Sequence, residues 1–369
     1  MRKMKSFNEV FEDKTKYGTK IKTSEYCEMG AHLIIDQGQE QVAGYTDIEE
    51  GVFEEVPVII FGDHTRVIKY VDKPFFLGAD GVKVLRSKFK NANYKYLYYA
   101  LKNARIPNTG YNRHFKWLKE VQIEYPDYRR QENVVKILDK VSDLIETRQH
   151  EIKRLDDLIK ARFVELFGNP VLNEKGWESN LLAQLTLKIG SGATPKGGRE
   201  AYQEEGIALI RSMNVYNGKF EYKDLAHISD EQAAKLDNVI IKESDVLLNI
   251  TGASVARSCV VPNQILPARV NQHVCIIRCK ECIEPIFLNR LLIDDNYQKL
   301  LWEIAGSGAT REAITKQQVE RLKIILPPIE LQNQFADFVR QVDKSKVAVQ
   351  KALDETQTLF DSLMQEYFG

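Results

Sequence analysis

The chain has 369 residues, 43% hydrophobic and 28% charged, a composition that predicts two globular domains of ordinary soluble chemistry. Lys+Arg and Asp+Glu are equal at 52 each, and a net charge of zero disfavours a free-standing nucleic-acid binder, which carries a basic excess. No apolar run approaches the ~20 residues that cross a bilayer, "MRKMK" leads into no signal segment, and five cysteines predict a reducing, cytoplasmic setting.

In chain order, "VPVIIF" (56–61) is a short β-branched run and predicts a strand, followed by the loop "FGDHTR". A forty-residue helix follows, ending at Gly168. Beyond it, "DVLLNI" (245–250), "HVCIIR" (273–278) and "LKIILP" (322–327) predict further strands, separated by loops such as "SGATPKGGRE" and "RSMNVYNGKF". "EPIFLNRLLIDDNYQKLLWEIA" follows helical spacing and stops at Gly306, and a second forty-residue helix closes the chain.

These elements occur twice. An offset of 201 carries Gly168 onto Gly369, Gln131 onto Gln332 and Pro126 onto Pro327. Upstream, "ADGVKVLR" lies over "NQHVCIIR" at 192, "YLYYAL" over "FLNRLL" at 191, and Tyr26, Glu28, Gly30 and Ile34 over Tyr202, Glu204, Gly206 and Ile210 at 176. The predicted fold class is α+β: two similar mixed α/β domains separated by a pair of long antiparallel coiled-coil helices, with a pseudo-twofold repeat. The expected boundaries are 1–127, a helix over 128–168, 169–328, and a helix over 329–369.

Within each tail the apolar positions step by four and three, a heptad seam. The first comprises Val134, Leu138, Val141, Ile145, Ile152 and Ile159, with Arg148 and Arg162 interrupting. The second comprises Phe335, Val339, Val342, Val349, Leu353 and Phe360, interrupted by Lys346 and Thr356. Such seams predict that the tails pair with each other; the alternative is that each packs on its own domain.

The string "GSGAT" occurs at 190–194 and 306–310, yet neither copy continues as G-x-x-x-x-G-K-[ST] or G-x-G-x-x-G, so both read as turns rather than phosphate cradles. Cys275, Cys279 and Cys282 show the C-x3-C-x2-C spacing of radical-SAM iron–sulfur enzymes. The first two fall on a predicted strand, about 13 Å apart, too far to share one small cluster, and buried thiols are the simpler reading. No histidine pair, serine elbow or Asn/Asp-Pro-Pro-aromatic tetrad accompanies them.

What recurs at the predicted turns is side chains that read bases or hold phosphates. The first half offers Lys20, Lys22, Thr23, Gln37, His64, Thr65, Arg66, Tyr111, Arg113 and His114. The second offers Thr194, Lys196, Arg199, Arg211, Asn214, Arg257, Arg269, Asn271, Gln272 and Arg311. Any one could be an ordinary solvated loop residue. Their concentration at equivalent places in two repeated units favours DNA contact.

The run from "SGATP" through "DVLLNITGASVARSCVV" and "NQHVCIIR" to "GSGATREAITKQQVERLKIILPPIELQNQF" resembles the specificity subunit of a type I restriction–modification system. The first half departs from that pattern, with "EYPDYR" in place of "LPPIEL" and "NTGYNR" in place of a "GSGAT" loop. The resemblance implies a non-catalytic DNA reader in which each domain grips one half of a split target and the helices set the gap. It implies docking of two methyltransferase subunits, which recruit nuclease/translocase subunits; S-adenosylmethionine, ATP and magnesium would sit on those partners, with no cofactor in this chain. A specificity subunit of a related fused nuclease–methyltransferase system is the neighbouring alternative.

Overall fold

The chain runs twice through the same series of elements. The computed structural model describes residues 3–78, 80–195, 198–306 and 312–369. The first pass contains strands β1 (Met4–Ser6), β2 (Phe11–Asp13), β3 (His32–Ile35), β4 (Gly44–Thr46), β5 (Val58–Gly62), β6 (Ile68–Val71), β7 (Phe75–Leu77), β8 (Val82–Ser87) and β9 (Gln122–Glu124). Its helices are α1 (Phe7–Val10), α2 (Tyr94–Lys102), α3 (Phe115–Leu118) and the long α4 (Tyr128–Phe167). The second pass contains β10 (Ser179–Leu181), β11 (Thr186–Ser191), β12 (Ile207–Ile210), β13 (Val215–Tyr216), β14 (Lys219–Phe220), β15 (Ala226–Ile228), β16 (Val246–Asn249), β17 (Ser258–Val260), β18 (Ala268–Val270), β19 (Val274–Cys279) and β20 (Lys323–Ile325). Its helices are α5 (Leu182–Leu185), α6 (Asp230–Ala234), α7 (Pro285–Leu292), α8 (Asp295–Gly306), α9 (Lys316–Glu320) and the long α10 (Ile329–Phe368).

The sheets repeat as well. Antiparallel orders β2-β8-β5-β6 and β11-β19-β16-β17 correspond, as do β4-β3-β7 and β15-β12-β18, each with one parallel pair. In those parallel pairs Ile34 faces Phe76 and Ile210 faces Val270. The central strands are apolar without a break because both faces of their sheet are covered. Along β16, Val246 and Leu248 enter one core while Leu247 enters another, and β5 divides in the same way between Ile59 and Phe61 on one face and Val58 and Ile60 on the other.

Caps repeat with the strands. Asn93 Oδ1 accepts the Tyr96 amide (3.1 Å) at the start of α2, and Glu284 accepts the Phe287 amide (2.7 Å) at the start of α7. The glutamine–proline correspondence also acquires a cause: Gln131 donates to the Pro126 carbonyl (2.9 Å) and Gln332 to the Pro327 carbonyl (2.7 Å), fixing the entry into each long helix. One expectation needs correcting, because the helix predicted through to Gly306 is two. Asp294 Oδ1 accepts the amides of Asn296 and Tyr297, and Gln298 Nε2 donates to the Leu292 carbonyl, so polar side chains satisfy a break that helical spacing conceals.

The described residues form two compact units, Met1–Gln149 with Gln350–Gly369, and His150–Val349, so each unit takes part of both long helices. In the first, Val134, Leu138 and Val141 of α4 share a core with Phe360 and Met364 of α10. In the second, Ile159, Phe163 and Phe167 of α4 share a core with Phe335, Val339 and Val342 of α10. The start of each helix meets the end of the other, which is antiparallel pairing. The globular elements pack on the same cores, so helix pairing and domain packing are not alternatives here. Ile145, Ile152, Val349 and Leu353 are only half-buried, and the seam is apolar chiefly towards its ends. Two of the four residues that interrupt it make bonds across the pair, Arg148 donating to the Ala352 carbonyl and Lys346 to Asp156, while Arg162 pairs with Glu165 and Thr356 donates to the Ala352 carbonyl within their own helices. Among the described residues no helix is long and apolar enough to cross a membrane.

Candidate DNA interface

Four corresponding segments converge in each unit: the chain after β3 or β12, the loop β5–β6 or β16–β17, the turn β7–β8 or β18–β19, and the stretch before α3 or α9. The backbone bonds that gather them match. Asp63 N donates to the Gly81 carbonyl (2.7 Å) as Ile250 N donates to the His273 carbonyl (3.0 Å). His114 N donates to the Asp63 carbonyl (2.7 Å), and Ile314 N to the Ile250 carbonyl (2.8 Å).

In the first unit Gln37 is the hub. Its Nε2 donates to the Asp80 carbonyl (2.9 Å), its Oε1 accepts the His64 amide (3.1 Å), and its carbonyl accepts Thr65 Oγ1 (2.6 Å). Only glycine suits position 81, where φ is +93° and a Cβ would come within 2.7 Å of Gln37 Nε2. Lys20 Nζ reaches Asp80 Oδ1 at 2.6 Å, and that hydrogen bond, then the charges of Lys20 and Arg113, hold the Asp80 carboxyl below its ordinary value. Tyr111 is 87% exposed and its ring stacks on His64. Arg113 is exposed beside it, Lys22 and Thr23 are exposed in a neighbouring turn, and Arg66 donates to the Ile106 carbonyl.

In the second unit the same segments line an open cavity of about 860 Å³ that includes Met213, Tyr216, Thr251, Arg257, His273 and Glu312. The Arg257 guanidinium lies 4.6 Å from the Tyr216 ring centre. Thr251 Oγ1 bonds His273 Nδ1, His273 Nε2 lies 3.1 Å from Gln272 Nε2, and Thr194 Oγ1 donates to Gln272 Oε1, a polar chain along the rim. Arg211 covers the Tyr202 ring at 5.3 Å. Gly192, from the first "GSGAT", permits a close approach: a Cβ there would overlap the Val270 carbonyl oxygen.

Four expected contacts are placed elsewhere. His114 is fully buried, with Nδ1 3.0 Å from the Asp63 carbonyl and Nε2 near Thr109. Asn214 is fully buried, donating to the Glu221 carbonyl (2.9 Å). Arg269 is 8% exposed and paired with Asp237 (3.0 Å), and Asn271 is 5% exposed with its Oδ1 on the His273 amide. Asn271 satisfies the backbone of its own turn, His114 and Asn214 reach the backbone of neighbouring loops, and Arg269, in β18, closes on Asp237 and the Ala233 carbonyl, so these brace the surface instead of forming it. Lys196 and Arg311 lie outside the described residues, as does the Arg199 side chain.

Met213, Tyr216, Thr251 and Asp80 were missed. For Thr251 the signal lay in aligning the loops after β5 and β16, where "FGDHTR" faces "ITGASVAR"; Met213 and Tyr216 follow β12 and Asp80 precedes β8, in segments outside that alignment. Cys275 and Cys279 both lie in β19, and burial pushes Cys259, Cys275 and Cys279 up to about 12, which keeps them as thiols.

Two repeated units of one topology, each gathering the same four loops, define a duplicated recognition fold. Residues 3–156 and 174–356 match the type I restriction modification DNA specificity domain, and the chain belongs to that family. It is 21% identical over 350 residues to the Escherichia coli type I restriction enzyme EcoR124I/EcoR124II specificity subunit, covering 90% of this chain and 84% of that protein. The crystal structure of the type I restriction–modification S subunit from M. genitalium matches with a TM-score of 0.63 at 17% identity, over 100% of this chain and 96% of that one. A structure described as the basis of complex assembly and conformational transition of the type I R-M system matches at 0.56 and 18% identity, over 99% and 97%.

Proposed function

We propose that this chain is the DNA-reading subunit of a type I restriction–modification complex and carries no chemistry of its own. Each unit reads one half of a split duplex sequence through its four gathered loops, and the paired long helices set the number of base pairs left unread between the halves. Two methyltransferase subunits dock on it and supply S-adenosylmethionine and the pocket for the flipped adenine. Nuclease/translocase subunits, with ATP and magnesium, join through them, and the assembly works in the cytoplasm. Partners provide much of the phosphate-directed charge, which accommodates a net charge of zero. The carrying observation is the convergence of matching segments in both units, with Tyr111, Arg113, Lys22, Arg257 and Gln272 available at their surfaces.

Arg257 tests this reading. Its guanidinium is aligned over Tyr216 at the mouth of the cavity, and a guanidinium that pairs with a guanine edge contributes about 1–3 kcal/mol of discrimination. Arg257→Ala, assembled with the cognate methyltransferase, should weaken binding to duplexes taken from mapped host methylation sites and relax base preference in one half-site only. Undiminished affinity and preference would remove Arg257 from the interface.

A further inference from the structure

We infer that the two units read their half-sites by different physics, and that Tyr111 of the first unit is a stacking platform that inserts against an unstacked base. This rests on the DNA-reading role proposed above. The loop 108–114 is held rigidly from within: Asn108 Oδ1 accepts the Gly110 amide (3.2 Å), Asn112 Nδ2 donates to the Thr109 carbonyl, and His114 anchors the base of the loop on Asp63. At its tip Gly110 has φ of +77° with open space around it. The next residue, Tyr111, lies nearly parallel to His64, with ring centres 4.8 Å apart and an interplanar angle of 11°. One face is therefore backed while the side chain stays 87% exposed, although an isolated aromatic ring gains nothing from facing water. His64 Nδ1 is buried without a hydrogen-bond partner among the described residues, so the backing ring is oriented by the stack and not through that atom. A flat ring, rigidly presented with a free face, matches a nucleobase in shape and stacking chemistry.

The second unit is built otherwise. Its cavity aromatic, Tyr216, is 42% exposed and its face is taken by Arg257, so the group offered to DNA is a guanidinium suited to hydrogen-bonding base edges.

The test uses the full chain with its methyltransferase subunits and a duplex spanning a mapped host methylation site, with 2-aminopurine placed in turn at every position of both half-sites except the adenines that the methyltransferases flip and the bases stacked on them. The expected result is a rise in fluorescence at one position of the first unit's half-site and none in the second's. Tyr111→Ala should abolish that rise and weaken binding about 5- to 150-fold, the span of about 1–3 kcal/mol for one base–aromatic stack. Tyr111→Phe should keep both, because the hydroxyl does not stack, and neither variant should shift the thermal midpoint. Specific binding with no fluorescence rise, or a rise that survives Tyr111→Ala, overturns the inference and leaves the reading role standing. No sequence preference at all overturns both.

Discussion

Phe335→Ala should destabilise the unit His150–Val349 by about 3–5 kcal/mol, read from denaturant unfolding of the full chain. Phe335 is fully buried near the start of α10, and its ring meets Phe163 at 5.6 Å and Phe167 at 5.4 Å, both edge-on. Phe167 in turn meets Phe287 of α7 at 4.7 Å. Four aromatic rings from three helices thus form one interlocked cluster, and the short α7 cannot follow the retreat of Phe335 without leaving β17. Alanine leaves a cavity where collapse is resisted from three sides. Phe335→Leu, which keeps most of the volume, should cost less than half as much. Equal losses for the two variants would show that the cluster is soft and that the end of the helix pair is not set by this packing.

A second large effect is expected at Asp245, which is fully buried at the foot of β16. Both its oxygens accept from Arg278 of β19 at 2.8 Å, and it also takes the Lys242 amide at 2.8 Å. This bidentate pair pins the register of the two strands whose far ends carry the loops at 251–257 and 271–273. Asp245→Ala leaves the mostly buried Arg278 guanidinium without its counter-charge, and should cost about 3–5 kcal/mol. The double variant Asp245→Leu with Arg278→Met removes both charges and should recover much of that loss, since a buried pair is dear to break and cheap to replace. A double variant no better than the single one would mean that the pair's geometry, and not the stranded charge, holds the register.

Much of this architecture was legible because long-range order leaves periodic traces. Forty residues of heptad spacing specify a helix whatever surrounds them, and the offset of 201 between Gln131 and Gln332 reflects one physical device, an amide closing on a proline carbonyl. Runs such as "DVLLNI" were legible as strands because both faces are covered. The break at Asp294 was not, since Ile293 and Asp294 fit the helical spacing, and only the direction of the side chains, with Asp294 Oδ1 capping the next turn and Gln298 Nε2 donating to the Leu292 carbonyl, shows that the chain stops there. Loop chemistry was partly legible. Residue type marks Arg, Asn and His as readers, but it does not say which way a side chain turns. His114, Asn214, Arg269 and Asn271 turn inward onto backbone groups or, for Arg269, onto Asp237 as well, while Tyr111, Arg113 and Arg257 remain at the surface.

The division of labour between the units is most directly tested by exchange. Residues 169–328 are replaced by the corresponding segment of another family member of known target, and methylated adenines are then mapped across the host genome. One half of the methylated motif should change to the donor's while the other half and the gap between them persist. A motif that is contiguous, or one in which both halves change together, would contradict the reading of this chain as two independent readers on one helical spacer.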